Sequence, residues 1–413
     1  MTLKATLSRL WTTALTNPAR REGRRKVAQR KRLSSGTRAT IHYFHQADDP
    51  YSHLAAQCLV PLAARYDVEI VCHLVPPPDD TAAPERDKLS LYALRDAPRL
   101  ARRYGLSFPE RASLPNADQI AYANGMLVEA VTRQSIAIDA PHIGEALWHG
   151  DAGPKPSQSV QRSVENALKE GGELRSELGH YLSAMFYFEG EWYWGVDRLH
   201  HLETRLRNQQ FMRRPDAKPF APYQEMVLDG RAAEKPVTID FWFSFRSPYS
   251  YIAAARVHRL AVHYGAELRL RFILPMVMRG LPVPGIKRRY IIFDVKREAE
   301  ILGLPFGTMV DPVGKGVERA LAVLHRASAI GRGPQFAESG LRAAFADGID
   351  LASDRGLTIW DSVVLAASAE AECRLLLSED LQEGFTWRGV TVANPFAPVL
   401  NPILAAMLAA PEA

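Results

Sequence analysis

Ser247-Pro248-Tyr249-Ser250 stands where an alternating stretch, Val237 to Phe245, gives way to Ala253, Val257, Leu260 and Tyr264 at helical spacing. The spacing predicts a strand, a proline turn and a helix headed by Ser247. The start of a helix offers unsatisfied N–H groups and the positive end of the dipole, so it favours an anion. A thiol there would be held as thiolate and could do redox or nucleophilic work. The chain has a hydroxyl instead, whose plainest role is to cap the helix. The three cysteines, Cys58, Cys72 and Cys373, are isolated and odd in number, which excludes a disulfide framework and a zinc quartet and leaves them as small core residues.

The elements that must position Ser247 occur twice. Residues 41–77, IHYFHQADDPYSHLAAQCLVPLAARYDVEIVCHLVPP, align with residues 239–275, IDFWFSFRSPYSYIAAARVHRLAVHYGAELRLRFILP, at a constant offset of 198. The same offset carries Tyr92 onto Tyr290, each in a stretch rich in helix formers. In the second copy the strand Leu268–Leu274 closes a β-α-β element, which calls for a parallel pair joined by a right-handed crossover. After a helical insertion the first copy returns to strands at Ala184–Phe188 and Glu191–Trp194 and to a helix at His200–Asn208. At the position matching Ser247 the first copy has Asp49, and at those matching Lys287, Arg288 and Arg289 it has Leu89, Ser90 and Leu91.

Composition bounds the rest. The chain has 413 residues with 47% apolar and 23% charged side chains, enough for two cores of ordinary size. No run of eighteen uncharged apolar residues occurs, so no membrane span is expected. Eleven Lys or Arg and the single acid Glu22 fall within residues 1–40, so the formal +5 of the whole chain hides a remainder of about −5. Such a leader reads as a flexible, solvated arm, with weak contact to nucleic acid or an anionic surface as the alternative. It lacks the long apolar stretch and cleavage site of a secretory signal, and with unpaired cysteines a cytoplasmic location is expected.

Strand, Ser-Pro-Tyr-Ser helix and helical insertion together resemble the DsbA superfamily of thioredoxin-like proteins, most closely its branch of 2-hydroxychromene-2-carboxylate isomerases and kappa-class glutathione transferases. The segment from Pro275, PMVMRGLPVPGIKRRYIIFDVKREAEILGLPF, and the segment from Phe186, FYFEGEWYWGVDRL, resemble that branch too. The resemblance covers residues 39–210 and 237–354. The fold class it implies is α/β: two thioredoxin-like units with DsbA-type helical insertions, the second lacking its usual return strands. The expected divisions are a basic flexible leader at 1–38, unit 1 at 39–211, a linker at 212–236, an incomplete unit 2 at 237–354 and a distinct segment at 355–413.

The resemblance implies that Ser247 is the catalytic residue, donating a hydrogen bond to the thiolate of glutathione acting as co-substrate. The thiolate adds to an activated C=C bond of a small aromatic substrate, the adduct rotates, and elimination returns the thiol. Pro248, Tyr249 and Lys287 then bind glutathione or substrate, as do Asp197 and Arg198 in the turn Gly195-Val196-Asp197-Arg198. A carboxylate at Asp49 opposes a thiolate beside it, and Ala184 occupies the position of the branch's cis-proline, so the first copy reads as structural. The pieces of the site are divided between copies, and separate thioredoxin units have no geometric reason to bring them together. Weak activity is therefore expected, with a non-catalytic binding module as the alternative. A DsbA-type disulfide oxidoreductase lacks its cysteines here.

From about Gly356 the chain resembles the C-terminal half of a PIN-domain ribonuclease, with Asp361 and Asp380 aligned to acidic metal-site residues. Such a site needs about four acids around Mg²⁺ or Mn²⁺. The opening strand with its Asp is absent, so no bound metal is expected and ribonuclease activity is a further alternative only.

Overall fold

A computed structural model describes residues 3–230, 235–352, 364–365, 368–369, 371–379, 381–387 and 389–409. The chain opens with helices α1 (Leu3–Leu15) and α2 (Pro18–Ser35). Then follow β1 (Thr40–His45), α3 (Pro50–Ala56), α4 (Leu59–Arg65) and β2 (Glu69–Leu74). Four helices come next: α5 (Arg86–Tyr104), α6 (Ala117–Thr132), α7 (Ile136–Trp148) and α8 (Gln158–Glu177). The chain returns through β3 (Met185–Phe188), β4 (Glu191–Trp194) and α9 (Leu199–Asn208). Further on lie β5 (Thr238–Phe243), α10 (Pro248–Tyr264), β6 (Glu267–Phe272), α11 (Gly285–Ile301), α12 (Lys315–Ala329) and α13 (Gly333–Arg342). The last described elements are β7 (Leu375–Leu377), β8 (Thr386–Trp387), β9 (Val390–Ala393) and α14 (Pro402–Leu408).

The chain divides into two compact units: a first of Pro18–Val227 with Leu281–Asp294, and a second of Met1–Asn17, Leu228–Gly280 and Val295–Ala413. In the first, the sheet order is β2-β1-β3-β4. β1 pairs parallel with β2, Tyr43 opposite Cys72, and antiparallel with β3, Tyr43 opposite Phe186. The period-2 alternation sends Ile41, Tyr43, Phe186 and Tyr193 into a core with Leu59, Leu62, Leu202 and Leu206. Each such side chain contributes about 1.5–3 kcal/mol by burial. The opposite face buries Phe44, Met185 and Trp192 with Val75 and Tyr290. α8 can approach β2 because residue 171 is glycine; a Cβ there would lie 2.0 Å from the Leu74 carbonyl oxygen.

The second unit repeats the β-α-β element. β5 and β6 pair in parallel with Thr238 opposite Glu267, as β1 and β2 pair with Thr40 opposite Glu69. Among the described residues this sheet holds two strands only, so β5 has no antiparallel partner like β3. A separate sheet of order β7-β9-β8 surrounds Leu365, Leu381, Val390 and Val392. β7 and β9 pair in parallel there, Leu376 opposite Val392.

Where a flexible leader is expected, the structure has the helices α1 and α2. Pro18 opens α2 at the position where its missing N–H costs nothing, and Arg, Ala and Lys sustain the helix. Arg25 then grips Glu191 through two hydrogen bonds of 2.7 and 2.8 Å, and Arg32 meets Glu189 at 2.7 Å. The expected linker is also tied down in its first part: the fully buried Glu203 carboxylate accepts from Phe220 N and Ala221 N at 2.7 and 2.8 Å. Among the described residues no helix is long and apolar enough to cross a membrane.

Candidate functional site

In the second unit Ser247 caps α10. Its Oγ accepts from the Ser250 N–H at 3.2 Å, and Pro248 fills the first helical position. Ser247 is half-buried, as are Pro248 and Tyr249 in the first turn. The hydroxyl accepts from the helix, and its own hydrogen has no acceptor among the described residues, so it can donate to an anion placed before the helix. That satisfies the chemical requirement for holding a thiolate from outside the chain. The approach to this turn is fixed by Arg246, whose Nε and Nη2 donate to the two Asp311 carboxylate oxygens at 2.8 and 2.7 Å. Tyr251 donates to the Pro305 carbonyl at 2.6 Å. Sequence reasoning missed Arg246 and Asp311; their only signal was an arginine directly preceding the capping serine.

The matching position in the first unit is chemically different. Asp49 caps α3, accepting from Tyr51 N and Ser52 N at 3.1 Å each, from Ser52 Oγ at 2.8 Å and from Ser183 Oγ at 2.9 Å. Burial pushes its carboxyl above the usual range, against the hydrogen bonds from Ser52 and Ser183. All four donors converge on a carboxylate, so the helix end that could serve an external anion is already served. Ala184 adopts φ 55 there, and its carbonyl accepts from Gly195 N at 2.8 Å.

Asp197, Arg198 and Lys287 belong to this first unit, whereas Ser247, Pro248 and Tyr249 belong to the second. Arg198 Nη1 donates to Asp197 at 2.8 Å, and its Nε reaches both Asp294 oxygens at 3.1 and 3.0 Å. Lys287 lies two helical turns before Asp294 on α11 and donates to the Ala82 carbonyl at 2.9 Å, with its Nζ 6.0 Å from the Tyr181 ring centroid. Burial lowers the Lys287 ammonium below its ordinary value. Beside it Tyr290 meets His180 edge to face at 4.6 Å. The early part of α11 thus belongs to the first compact unit. Copy boundaries in the sequence gave no sign of this, and Asp294, Tyr290 and His180 were missed. Asp361 and Asp380, the expected acidic pair, lie outside the described residues.

Residues 238–372 match the family model of the DSBA-like thioredoxin domain. The 2-hydroxychromene-2-carboxylate isomerase of Pseudomonas sp. (strain C18) is 30% identical over 121 residues, 27% of this chain and 56% of that protein. The isomerase of the same name from Pseudomonas putida is 35% identical over 75 residues, 16% of this chain and 37% of that protein. The matches therefore span about half, or less, of these relatives' own lengths. Among solved structures, a 2-hydroxychromene-2-carboxylate isomerase aligns with 41% of this chain and 96% of its own, at 18% identity and a TM-score of 0.32. A probable DsbA oxidoreductase from Streptomyces coelicolor aligns with 46% of this chain and 94% of its own, at 9% identity and a TM-score of 0.33. The chain is a mixed α/β protein with a DsbA-like thioredoxin fold in its second unit, distantly homologous to 2-hydroxychromene-2-carboxylate isomerases.

Proposed function

We propose that the second unit is a slow glutathione-dependent isomerase or transferase acting on a small aromatic substrate, without disulfide chemistry. The observation that carries this reading is Ser247: a half-buried hydroxyl at the head of a seventeen-residue helix, with its hydrogen free of acceptors among the described residues. Homology to the chromene isomerases supports the choice of chemistry. The helix end and the Ser247 hydroxyl hold the glutathione sulfur as thiolate. Its sulfur forms a bond to the activated carbon as the π bond opens; after rotation that bond breaks, the π bond returns and the thiolate leaves unchanged. Low activity is inferred from the second unit itself, whose β5-β6 sheet has no return strands among the described residues. Losing one positioned group costs on the order of 10²-fold in rate.

For the first unit the reading is a non-catalytic thioredoxin-type module, because Asp49 occupies the anion position with its own charge. The two units are inferred to descend from one duplicated unit, supported by the offset of 198 residues that relates their strand registers. A cytoplasmic site of action accords with three unpaired cysteines. Isomerisation of a 2-hydroxychromene-2-carboxylate by the full chain is the test. Slow turnover that requires glutathione and is lost in Ser247→Ala supports the assignment, and turnover that ignores either one refutes it.

A further inference from the structure

Helix α2, in the first unit, divides its cations between two sides. At about 100° per residue, Arg21, Arg25, Ala28 and Arg32 share one side and Arg20, Arg24, Val27 and Lys31 another. The first side is anchored: Arg25 and Arg32 meet Glu191 and Glu189 at 2.7 Å each, and the Arg32 guanidinium lies 5.0 Å from the Phe211 ring centroid. The second side is exposed along its length. Neither Arg24 nor Lys31 makes an ion pair there among the described residues.

The early part of α11, in the same unit, adds to this side. The Arg24 guanidinium lies 5.5 Å from the Phe293 ring centroid, and that of the exposed Arg289 lies 5.6 Å from the same centroid. One ring thus holds two arginines near each other. Partial burial lowers the Arg24 guanidinium below its ordinary value, and Arg289, Arg21 and Arg25 push the same way against the pull of Glu191. Cations gathered in this way repel one another, and a polyanion relieves the repulsion. The chain beyond residue 40 is net acidic by about five charges, so a polyanion is drawn to this face rather than to the rest of the protein. We propose that the outer side of α2, together with Arg289, binds the phosphate backbone of a single-stranded nucleic acid without reading its bases. From Arg20 to Lys31 the cations follow the helix axis for about 16 Å, a length that spans several phosphates. α2 has no aromatic ring on which a base could stack, so the contact is with phosphates. Its only large exposed apolar side chains are Val27 and Leu33, too little apolar surface to seat the helix in a bilayer, which favours nucleic acid over lipid.

Fluorescence anisotropy of the full chain with a labelled mixed-sequence oligonucleotide, once as RNA and once as DNA, tests this. Both should bind alike, since phosphates are common to the two, and affinity should fall as salt is raised. The triple variant Arg24→Gln, Lys31→Gln, Arg289→Gln should bind at least about tenfold more weakly while melting like the parent, and its slope of log affinity against log salt should be shallower by about two. Arg24→Lys with Arg289→Lys keeps the charges and should bind like the parent. A control that removes three exposed cations elsewhere in the same unit, Lys155→Gln, Arg162→Gln and Lys169→Gln, should leave binding unchanged. The proposal is overturned by a parent that binds neither oligonucleotide, by undiminished binding in the first variant, or by an equal loss in the control, which would trace binding to net charge alone. Capture of phosphatidylserine vesicles by a protein indifferent to both oligonucleotides would assign the face to a membrane and equally overturn it.

Discussion

Arg198 Nε reaches both carboxylate oxygens of Asp294, at 3.1 and 3.0 Å, and Asp294 has no exposed surface. This ion pair fastens α11 to the turn after β4. Removing one member of a buried pair leaves the other charge without its counterion and costs about 3–5 kcal/mol, whereas replacing both with apolar groups of similar volume is close to neutral. Arg198→Met should therefore lower the urea midpoint sharply, and the double variant Arg198→Met, Asp294→Leu should recover most of that loss. A single variant that unfolds like the parent would show that the pair does not hold the helix.

Three buried histidines, His45, His53 and His180, and the half-buried His73 set the acid limb of stability. Burial lowers His53 and His73 to about 4 and His45 and His180 to about 3, from the ordinary 6.5. Because the folded values lie below the unfolded one, their contribution is present above pH 6.5 and is lost as pH falls toward the folded values. Each histidine that takes up a proton on unfolding adds a slope of about 1.4 kcal/mol per pH unit. Urea midpoints measured from neutrality downward should fall steeply below the ordinary histidine range. A flat profile there would contradict the buried neutral state.

Much of this architecture is legible in the residues. The alternation from Val237 to Phe245, its aligned partner from Ile41, and the return strands expected at Ala184–Phe188 and Glu191–Trp194 place β5, β1, β3 and β4 nearly to the residue. The helices of the leader were not legible as structure. Their cations suggest disorder until Glu189 and Glu191, far along the chain, are seen to receive Arg32 and Arg25. The joining of Lys287 to the first unit was equally hidden, since it depends on a carbonyl at Ala82 and a ring at Tyr181 rather than on any local pattern.

The cysteines should separate cleanly by reactivity. Cys58 and Cys72 are buried, and burial pushes the Cys72 thiol up to about 12 and that of Cys58 higher still. Cys373 is exposed. Iodoacetamide at neutral pH should modify Cys373 alone in the native protein and all three cysteines in denaturant, as read by mass spectrometry. Native modification of Cys58 would place that thiol outside the core.

Capping and chemistry at residue 247 can be told apart. Ser247→Ala removes the side-chain acceptor for Ser250 N and should cost about 1 kcal/mol of stability. Ser247→Asp reproduces the first unit's arrangement at Asp49 and should keep the cap, with a urea midpoint close to the parent's. A large loss of stability in Ser247→Asp would mean that the position is packed against something other than the helix end.

Isothermal titration of the full chain with glutathione addresses the central assignment most directly. Saturable binding is expected in the parent and should disappear in Ser247→Asp, where a fixed carboxylate repels the thiolate although the helix remains capped. No heat from the parent at millimolar glutathione, or unaltered binding in Ser247→Asp, would contradict it.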